Sequence, residues 1–248
     1  MQLTDLVVYL DTLLEPWRFK DYAPNGLQIE GRATLARIVC GVSASQALID
    51  VAVAHQADAI LVHHGYFWKN EDSRITGIKM KRIKSLLENG ISLLAYHLPL
   101  DAHPVLGNNA QLARVLALEP IGQTGEQDLL WYGRLAEPCS AECWVNDLSQ
   151  RLARPALLLG RPDKQIDRVA WCSGGAQGMF ADAIALGVDA FVTGEVSEQN
   201  QHMAMESDCV FVAAGHHATE RYGIEALAAK IRHDLCMDVE FIDLDNPI

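Results

Sequence analysis

Residues 37–64, RIVCGVSASQALIDVAVAHQADAILVHH, decide how the chain folds. An apolar run, Ile38–Val42, is followed by Ser45–Gln56, where apolar residues recur at helical spacing. A second apolar run, Ala57–Val62, ends in His63-His64-Gly65. Short continuous apolar runs on either side of an amphipathic helix predict buried parallel strands joined by a crossover.

The same rhythm extends in both directions. Leu3, Leu6, Val7, Leu10, Leu13 and Leu14 mark a first helix that stops at Pro16, and Glu15–Gly31 reads as an ordered loop with a turn at Asn25-Gly26. After residue 64 come a helix over 79–88 closed by Asn89-Gly90, a strand over 91–96 ending in His97-Leu98-Pro99-Leu100-Asp101, and a helix from Asn108 or Asn109 to about 118. Glu119–Asp128, with Pro120, Gly122, Gly125 and three acids, is the candidate boundary. Beyond it, strands are expected at 130–135, 156–159, 169–172, 188–192, 210–214 and 239–242, with helices near 141–152, 177–186, 197–205 and 219–233. The expectation is an α/β protein of two related halves, residues 1–124 and 125–248, each with a mainly parallel sheet flanked by helices. The C-terminal helix or strand has the option of packing back on the first half.

Twenty basic against thirty-two acidic residues give a net charge of −12, which argues against a surface built to grip nucleic acid phosphates. Lys79, Lys81, Arg82 and Lys84 read as the solvated face of a helix. No targeting segment and no apolar run of membrane-spanning length is visible. The six cysteines include no pair spaced two apart and read as reduced core thiols of a cytoplasmic protein.

Positions 37–64 match 168–195 without a gap, with identities at Arg37/Arg168, Gln46/Gln177, Ala52/Ala183, Ala54/Ala185, Asp58/Asp189 and Ala59/Ala190. A slightly different shift aligns Ala95, His97 and Asp101 with Ala214, His216 and Glu220, which makes His97 the counterpart of His216 and points to an internal repeat. Two such halves, with the carboxyl ends of their strands brought together, form a cleft of the kind in which open α/β sheets bind ligands. His63, His64, Asp101, His216 and Glu220 all fall at such ends. Neighbours in a strand point to opposite faces, so adjacent imidazoles where Gly65 ends the strand suit two neighbouring ions better than one. Three imidazoles and two carboxylates favour zinc, manganese or iron over calcium or magnesium, and a carboxylate can bridge a metal pair.

Several motifs carry a resemblance that spans the chain: Asp21–Gln28 (DYAPNGLQ), Val62–Lys69 (VHHGYFWK), His97–His103 (HLPLDAH), Gly107-Asn108-Asn109, Thr193-Gly194-Glu195 and Gly215–Glu220 (GHHATE). With these the chain resembles the GTP cyclohydrolase type 2-like family, also called the NGG-interacting-factor-three-like proteins, in its bacterial form without a long central insertion. The resemblance implies a two-domain α/β subunit, a dinuclear metal centre and a ring-like homohexamer. It places His63, His64, Asp101, His216 and Glu220 on the family's metal-ligand positions, with no departure at any of the five. His97 and His217 are not ligands in that pattern and become proton-transfer candidates. Glu195, aligned with His64 in the repeat, either orients a ligand or water or is a helix-entry acid.

Two further features bear on substrate. Tyr66, Phe67 and Trp68 follow the histidine pair, where an aromatic ring can stack a purine or pterin or pack a lid or subunit contact. Ser173–Gly178 lies between a strand and a helix, where backbone amides can cradle phosphate, although it fits neither the dinucleotide fingerprint nor the P-loop. Two function classes follow. One is a metal-dependent hydrolase of a small substrate, with GTP cyclohydrolase-type ring opening suggested by the family name. The other is a metal-binding ring that acts as a scaffold in a stress or DNA-repair pathway.

Overall fold

The chain begins with helix α1 (Leu3–Leu14) and strand β1 (Gly26–Ile29). The crossover unit follows as β2 (Arg37–Ser43), α2 (Gln46–Ala54) and β3 (Ala59–His64), and then come α3 (Gly77–Asn89), β4 (Ser92–Ala95) and α4 (Leu98–Ala102). The later elements are α5 (Asn108–Val115), β5 (Leu118–Thr124), β6 (Leu130–Ser140), α6 (Ala141–Arg151), β7 (Leu157–Leu159) and β8 (Gln165–Trp171). They continue as α7 (Phe180–Ala185), β9 (Ala190–Thr193), α8 (Glu198–Glu206), β10 (Val210–Ala213), α9 (His216–Leu235) and β11 (Asp238–Phe241). This computed structural model describes residues 1–248 in two compact units, Met1–Gly107 with Gly223–Asp245, and Asn108–Tyr222 with Asn246–Ile248.

Local chemistry sets the element ends. Glu15 adopts a left-handed φ of 48° ahead of Pro16 and stops α1. The Ser45 hydroxyl accepts the Leu48 N–H at 3.2 Å and caps α2. Gly90, at φ 63°, closes α3.

In the first unit the sheet order is β1-β4-β3-β2-β11; β4, β3, β2 and β11 run parallel, and β1 is an antiparallel edge. Alternation along β2 and β3 explains their unbroken apolar runs. Ile38, Cys40, Ala59 and Leu61 pack with Leu6 and Leu10 of α1 and Ile224, Leu227 and Ile231 of α9. Val39, Ile60 and Val62 pack with Leu48, Ile49 and Leu86 of α2 and α3 on the other face.

The second sheet, ordered β5-β6-β8-β9-β10-β7, corrects the expectation of a mainly parallel arrangement. Only β8-β9 and β9-β10 are parallel, while β5-β6, β6-β8 and β10-β7 are antiparallel. Its core places Trp131, Trp144, Leu148, Val169, Trp171, Val192 and Val212 together, with Phe180, Phe191 and Phe211 forming an aromatic cluster. The stretch Glu119–Asp128, read as the boundary, carries most of β5 and a 3₁₀ turn, and the division between units falls at Gly107/Asn108 and within α9. The Pro/Gly-rich, acidic composition there is that of an exposed, bulged edge strand. β1 escaped notice for the same reason, being short and on an edge. Cys40, Cys172 and Cys209 are buried thiols, but Cys143 and Cys236 are exposed, so not every cysteine belongs to the core. No helix is long and apolar enough to cross a membrane.

The repeat persists in the hydrogen bonds. Asp58 Oδ2 accepts the N–H groups of Ala36 and Arg37 at 2.7 and 3.1 Å, and Asp189 Oδ2 accepts those of Asp167 and Arg168 at 3.0 and 2.9 Å. Arg37 donates to the His55 carbonyl and Arg168 to the Leu186 carbonyl, at equivalent positions of the ungapped match. The repeated Arg and Asp are thus a device that ties the start of the first strand to the start of the second and to the end of the crossover helix.

Beyond the crossover the register corrects the sequence alignment. Ala95 pairs with Val62, and Ala213 pairs with Thr193, so Ala95 corresponds to Ala213 rather than Ala214. The helices begin at Leu98 and His216, so His97 corresponds to Gly215, not to His216. The two His-x-x-x-acid motifs are one residue out of structural register.

Asp58→Ala leaves two strand N–H groups without their acceptor and is expected to cost about 2 kcal/mol in urea unfolding of the first unit at neutral pH. Burial pushes the Asp58 carboxyl up, but the Ala36 N–H, the Arg32 guanidinium and the Arg37 N–H hold it below the usual carboxylate range. The contribution is therefore present above the ordinary carboxylate pKa and lost as pH falls through the lowered one, so the two proteins converge in acid.

Candidate metal centre

Each sheet carries, at the carboxyl ends of its parallel strands, a cluster of side chains of the types that can ligate a metal. In the first unit, β3 runs through both His63 and His64. The fully buried His63 ring donates from Nδ1 to the Tyr96 carbonyl at 3.0 Å, and its Nε2 lies 3.5 Å from Asp101 Oδ1. His64 Nδ1 is 3.0 Å from Ser43 Oγ, at the end of the neighbouring strand. The two rings are 4.5 Å apart, centroid to centroid. Gly65 follows because nothing larger fits: a Cβ there would lie 2.2 Å from Gln28 Oε1, which accepts the Tyr66 N–H.

Asp101 is buried in α4, whose Pro99 sits in the first turn, where the missing N–H costs nothing. His97, just before α4, has its N–H on Asn25 Oδ1 and its Nδ1 on Asp21 Oδ1, both at 2.7 Å. The ligand atoms of His63, His64 and His97 all lie within 4.8 Å of one another. Burial pushes the Asp21 carboxyl up, but the hydrogen bond and charge of His97, with hydrogen bonds from Asn25 and the Leu98 N–H, hold it below the usual range.

In the second unit, β10 ends at Ala213, and Gly215, with a φ of 97°, lets helix α9 begin directly at His216. His216 and Glu220 share a helix face, and His216 Nε2 is 3.0 Å from Glu220 Oε2. His216 Nδ1 is 2.7 Å from Glu195 Oε1, and Glu195 Oε2 accepts from Gln177 Nε2 at 3.0 Å. Burial lowers the His216 pKa, but hydrogen bonds and charge from Glu220 and Glu195 outweigh it and raise the value to about 9. Gly174 approaches this cluster so closely that a Cβ would lie 1.9 Å from Glu220 Oε1. His217 is buried on the first turn of α9, its backbone N–H donating to the Ile248 carbonyl at 2.9 Å.

The structure thus brings His63, His64, His97 and Asp101 together in one unit and His216, Glu220 and Glu195 in the other. The donor chemistry fits a borderline divalent cation. His63, His64 and His216 each have a partner on Nδ1, an arrangement of the kind that orients an imidazole able to ligate a cation through Nε2.

Three anchors went unread in the sequence. Ser43 and Tyr96 gave no signal, and Asp21 stood only as the first residue of the 21–28 motif, with no role read for it. Two substrate expectations are narrowed as well. Tyr66 donates its hydroxyl to the Ala44 carbonyl and Phe67 lies under Lys79, so Trp68 is the aromatic beside the site, with its ring 5.0 Å from His97 and 5.9 Å from His64. In the 173–178 loop, the N–H groups of Ser173, Gly174 and Ala176 are taken by Asn109, Thr219 and Thr193, so these amides do not cradle phosphate.

A family model described as Duf34/NIF3 (NGG1p interacting factor 3) matches residues 1–247. The chain is 54% identical over 244 residues to a protein of Allochromatium vinosum named GTP cyclohydrolase 1 type 2 homolog, covering 98% of this chain and 96% of the relative. A Yersinia pestis protein of the same name is 53% identical over 248 residues, covering 100% of each. A solved structure described as the protein ybgI, of unknown function, matches with a TM-score of 0.97 at 49% identity, again covering 100% of each chain.

Below a pH of about 9 the metal-free His216 ring holds a proton. A cation that takes this nitrogen must displace it, so zinc binding at pH 7.5 is expected to release about one proton from this residue and to weaken as pH falls. Calorimetry in buffers of different ionisation enthalpy measures the release, which His216→Gln should remove.

Proposed function

The chain belongs to the Duf34/NIF3 family, and we propose that it is a metal-dependent hydrolase of a small nucleotide-like or pterin-like substrate, GTP cyclohydrolase type 2-like in its reaction. In this reading His63, His64 and Asp101 of the first unit and His216 and Glu220 of the second hold two divalent cations, of zinc, manganese or iron, in a cytoplasmic homohexamer. The cations, when bound, supply a water of lowered pKa and a Lewis acid for the substrate oxygen.

The observation that carries the reading is the meeting of imidazole and carboxylate in each unit: His63 Nε2 lies 3.5 Å from Asp101 Oδ1, and His216 Nε2 lies 3.0 Å from Glu220 Oε2. Each of the three proposed imidazole ligands also has a partner on Nδ1, which orients a ring that binds a cation through Nε2. The remaining side chains take supporting parts. Glu195 holds the His216 ring in place and is itself held by Gln177. His97 and His217 are the residues assigned to moving protons between water and leaving group. Trp68, half-buried beside His97 and His64, offers a face or edge to a planar heterocycle.

The test is to purify the wild-type protein with His64→Ala and Glu220→Ala, determine metal content, and screen GTP, reduced pterins, phosphoesters and cyclic amides with zinc, manganese and iron. About two ions per chain are expected in the wild type, fewer in each variant, and turnover reduced by roughly 10²-fold or more. If the fully loaded wild type turns over none of them, the hydrolase reading gives way to a metal-binding assembly without catalysis.

A further inference from the structure

Asp21 is the most heavily engaged carboxylate near the histidine cluster of the first unit, and no ligand role accounts for it. Its side chain is 4% exposed and accepts four hydrogen bonds: from His97 Nδ1 (2.7 Å) and the Tyr22 N–H (2.6 Å) on Oδ1, and from Asn25 Nδ2 (2.8 Å) and the Leu98 N–H (2.9 Å) on Oδ2. Asn25 completes the clamp by taking the His97 N–H at 2.7 Å. The segment 21–25 therefore straps the end of β4 from outside, immediately before β1 pairs with that strand. The Trp68 ring packs edge-on against the same imidazole, 5.0 Å away.

We propose that Asp21 is a positioning residue that fixes the His97 hydrogen on Nδ1, so that Nε2 is the atom that accepts and returns a proton beside the metal centre. A carboxylate that already takes three other donors has no role as the proton's final acceptor. It instead holds the ring in one tautomer and one orientation, and stabilises the cation when Nε2 is protonated. In the reaction, the water oxygen bonds to the electrophilic carbon or phosphorus as the bond to the leaving nitrogen or oxygen breaks. One water proton passes to Nε2 and from there to the leaving group, and the Nδ1 hydrogen never moves. The kinetic half of this inference rests on the hydrolase reading; the tautomer half does not.

Asp21→Asn tests it. An asparagine NH₂ in the place of Oδ2 would face two donors, whereas in the place of Oδ1 it faces only the Tyr22 N–H and a ring nitrogen able to accept. The NH₂ therefore turns toward His97 and forces its hydrogen onto Nε2. Long-range ¹H–¹⁵N spectra of the zinc-loaded, histidine-labelled protein should show His97 as the Nδ1–H tautomer in the wild type and the Nε2–H tautomer in the variant. Metal content and circular dichroism should be unchanged. With a substrate in hand, kcat should fall by about 10²-fold or more with KM within about twofold.

A variant that keeps the Nδ1–H signature, or a wild-type Nε2 with the shift of a zinc-bound nitrogen, overturns the proposal. So does a switched tautomer with unchanged kcat. If no substrate is turned over, the hydrolase reading fails while the spectra still decide what Asp21 does.

Discussion

The backbone of Tyr96 is the constraint on which the first cluster depends. Its N–H bonds to the Val62 carbonyl and continues the pairing of β4 with β3, and its own carbonyl receives the Nδ1 hydrogen of His63. Its phenol donates to Asp11 Oδ1 at 2.7 Å, which brings in α1. Burial, then the Asp11 hydrogen bond and charge, raise the phenol pKa, so the hydroxyl remains a donor at any physiological pH. One fully buried residue thereby ties a helix, two strands and the orientation of an imidazole together. A strand displaced by one residue would put the His63 ring on the wrong face of the sheet.

The two clusters solve the burial of charge differently. In the first, imidazoles meet a backbone carbonyl and a hydroxyl, and the one heavily bonded carboxylate, Asp21, is stabilised by four donors. In the second, His216 stands between Glu195 and Glu220 and carries a proton when no cation is bound. Two carboxylates about one imidazole form a negative pocket in which a divalent ion would replace that proton. Gly174 and Gly65 make both arrangements sterically possible, each in a place where a methyl group would collide with a functional side chain or its support.

The internal repeat accounts for the scaffold more directly than for the site. The paired Arg37/Arg168 and Asp58/Asp189 make the same bonds in both halves, which is a reason for these identities that owes nothing to catalysis. The His-x-x-x-acid likeness does not survive strand register, because His97 precedes its helix while His216 begins one. The two sets of site residues therefore occupy non-equivalent positions on equivalent strand ends.

Much of this was legible in the residues. Continuous apolar runs separated by a capped amphipathic helix predict buried strands with a crossover, and the histidines and acids placed after them lie at strand ends because Gly65, Pro99 and Gly215 punctuate the chain there. Motifs quoted from the sequence also identified the family. What the residues did not disclose depends on distance in space. The edge strands β1 and β5 have no apolar run to betray them, since they are held by backbone pairing on one side only. The antiparallel half of the second sheet, the one-residue offset between the repeats, and the partners Asp21, Ser43 and Tyr96 that aim each ring are all set by register between strands far apart in sequence. Local patterning determines which face of an element is apolar, but which atoms meet across that face is decided only when the sheets assemble.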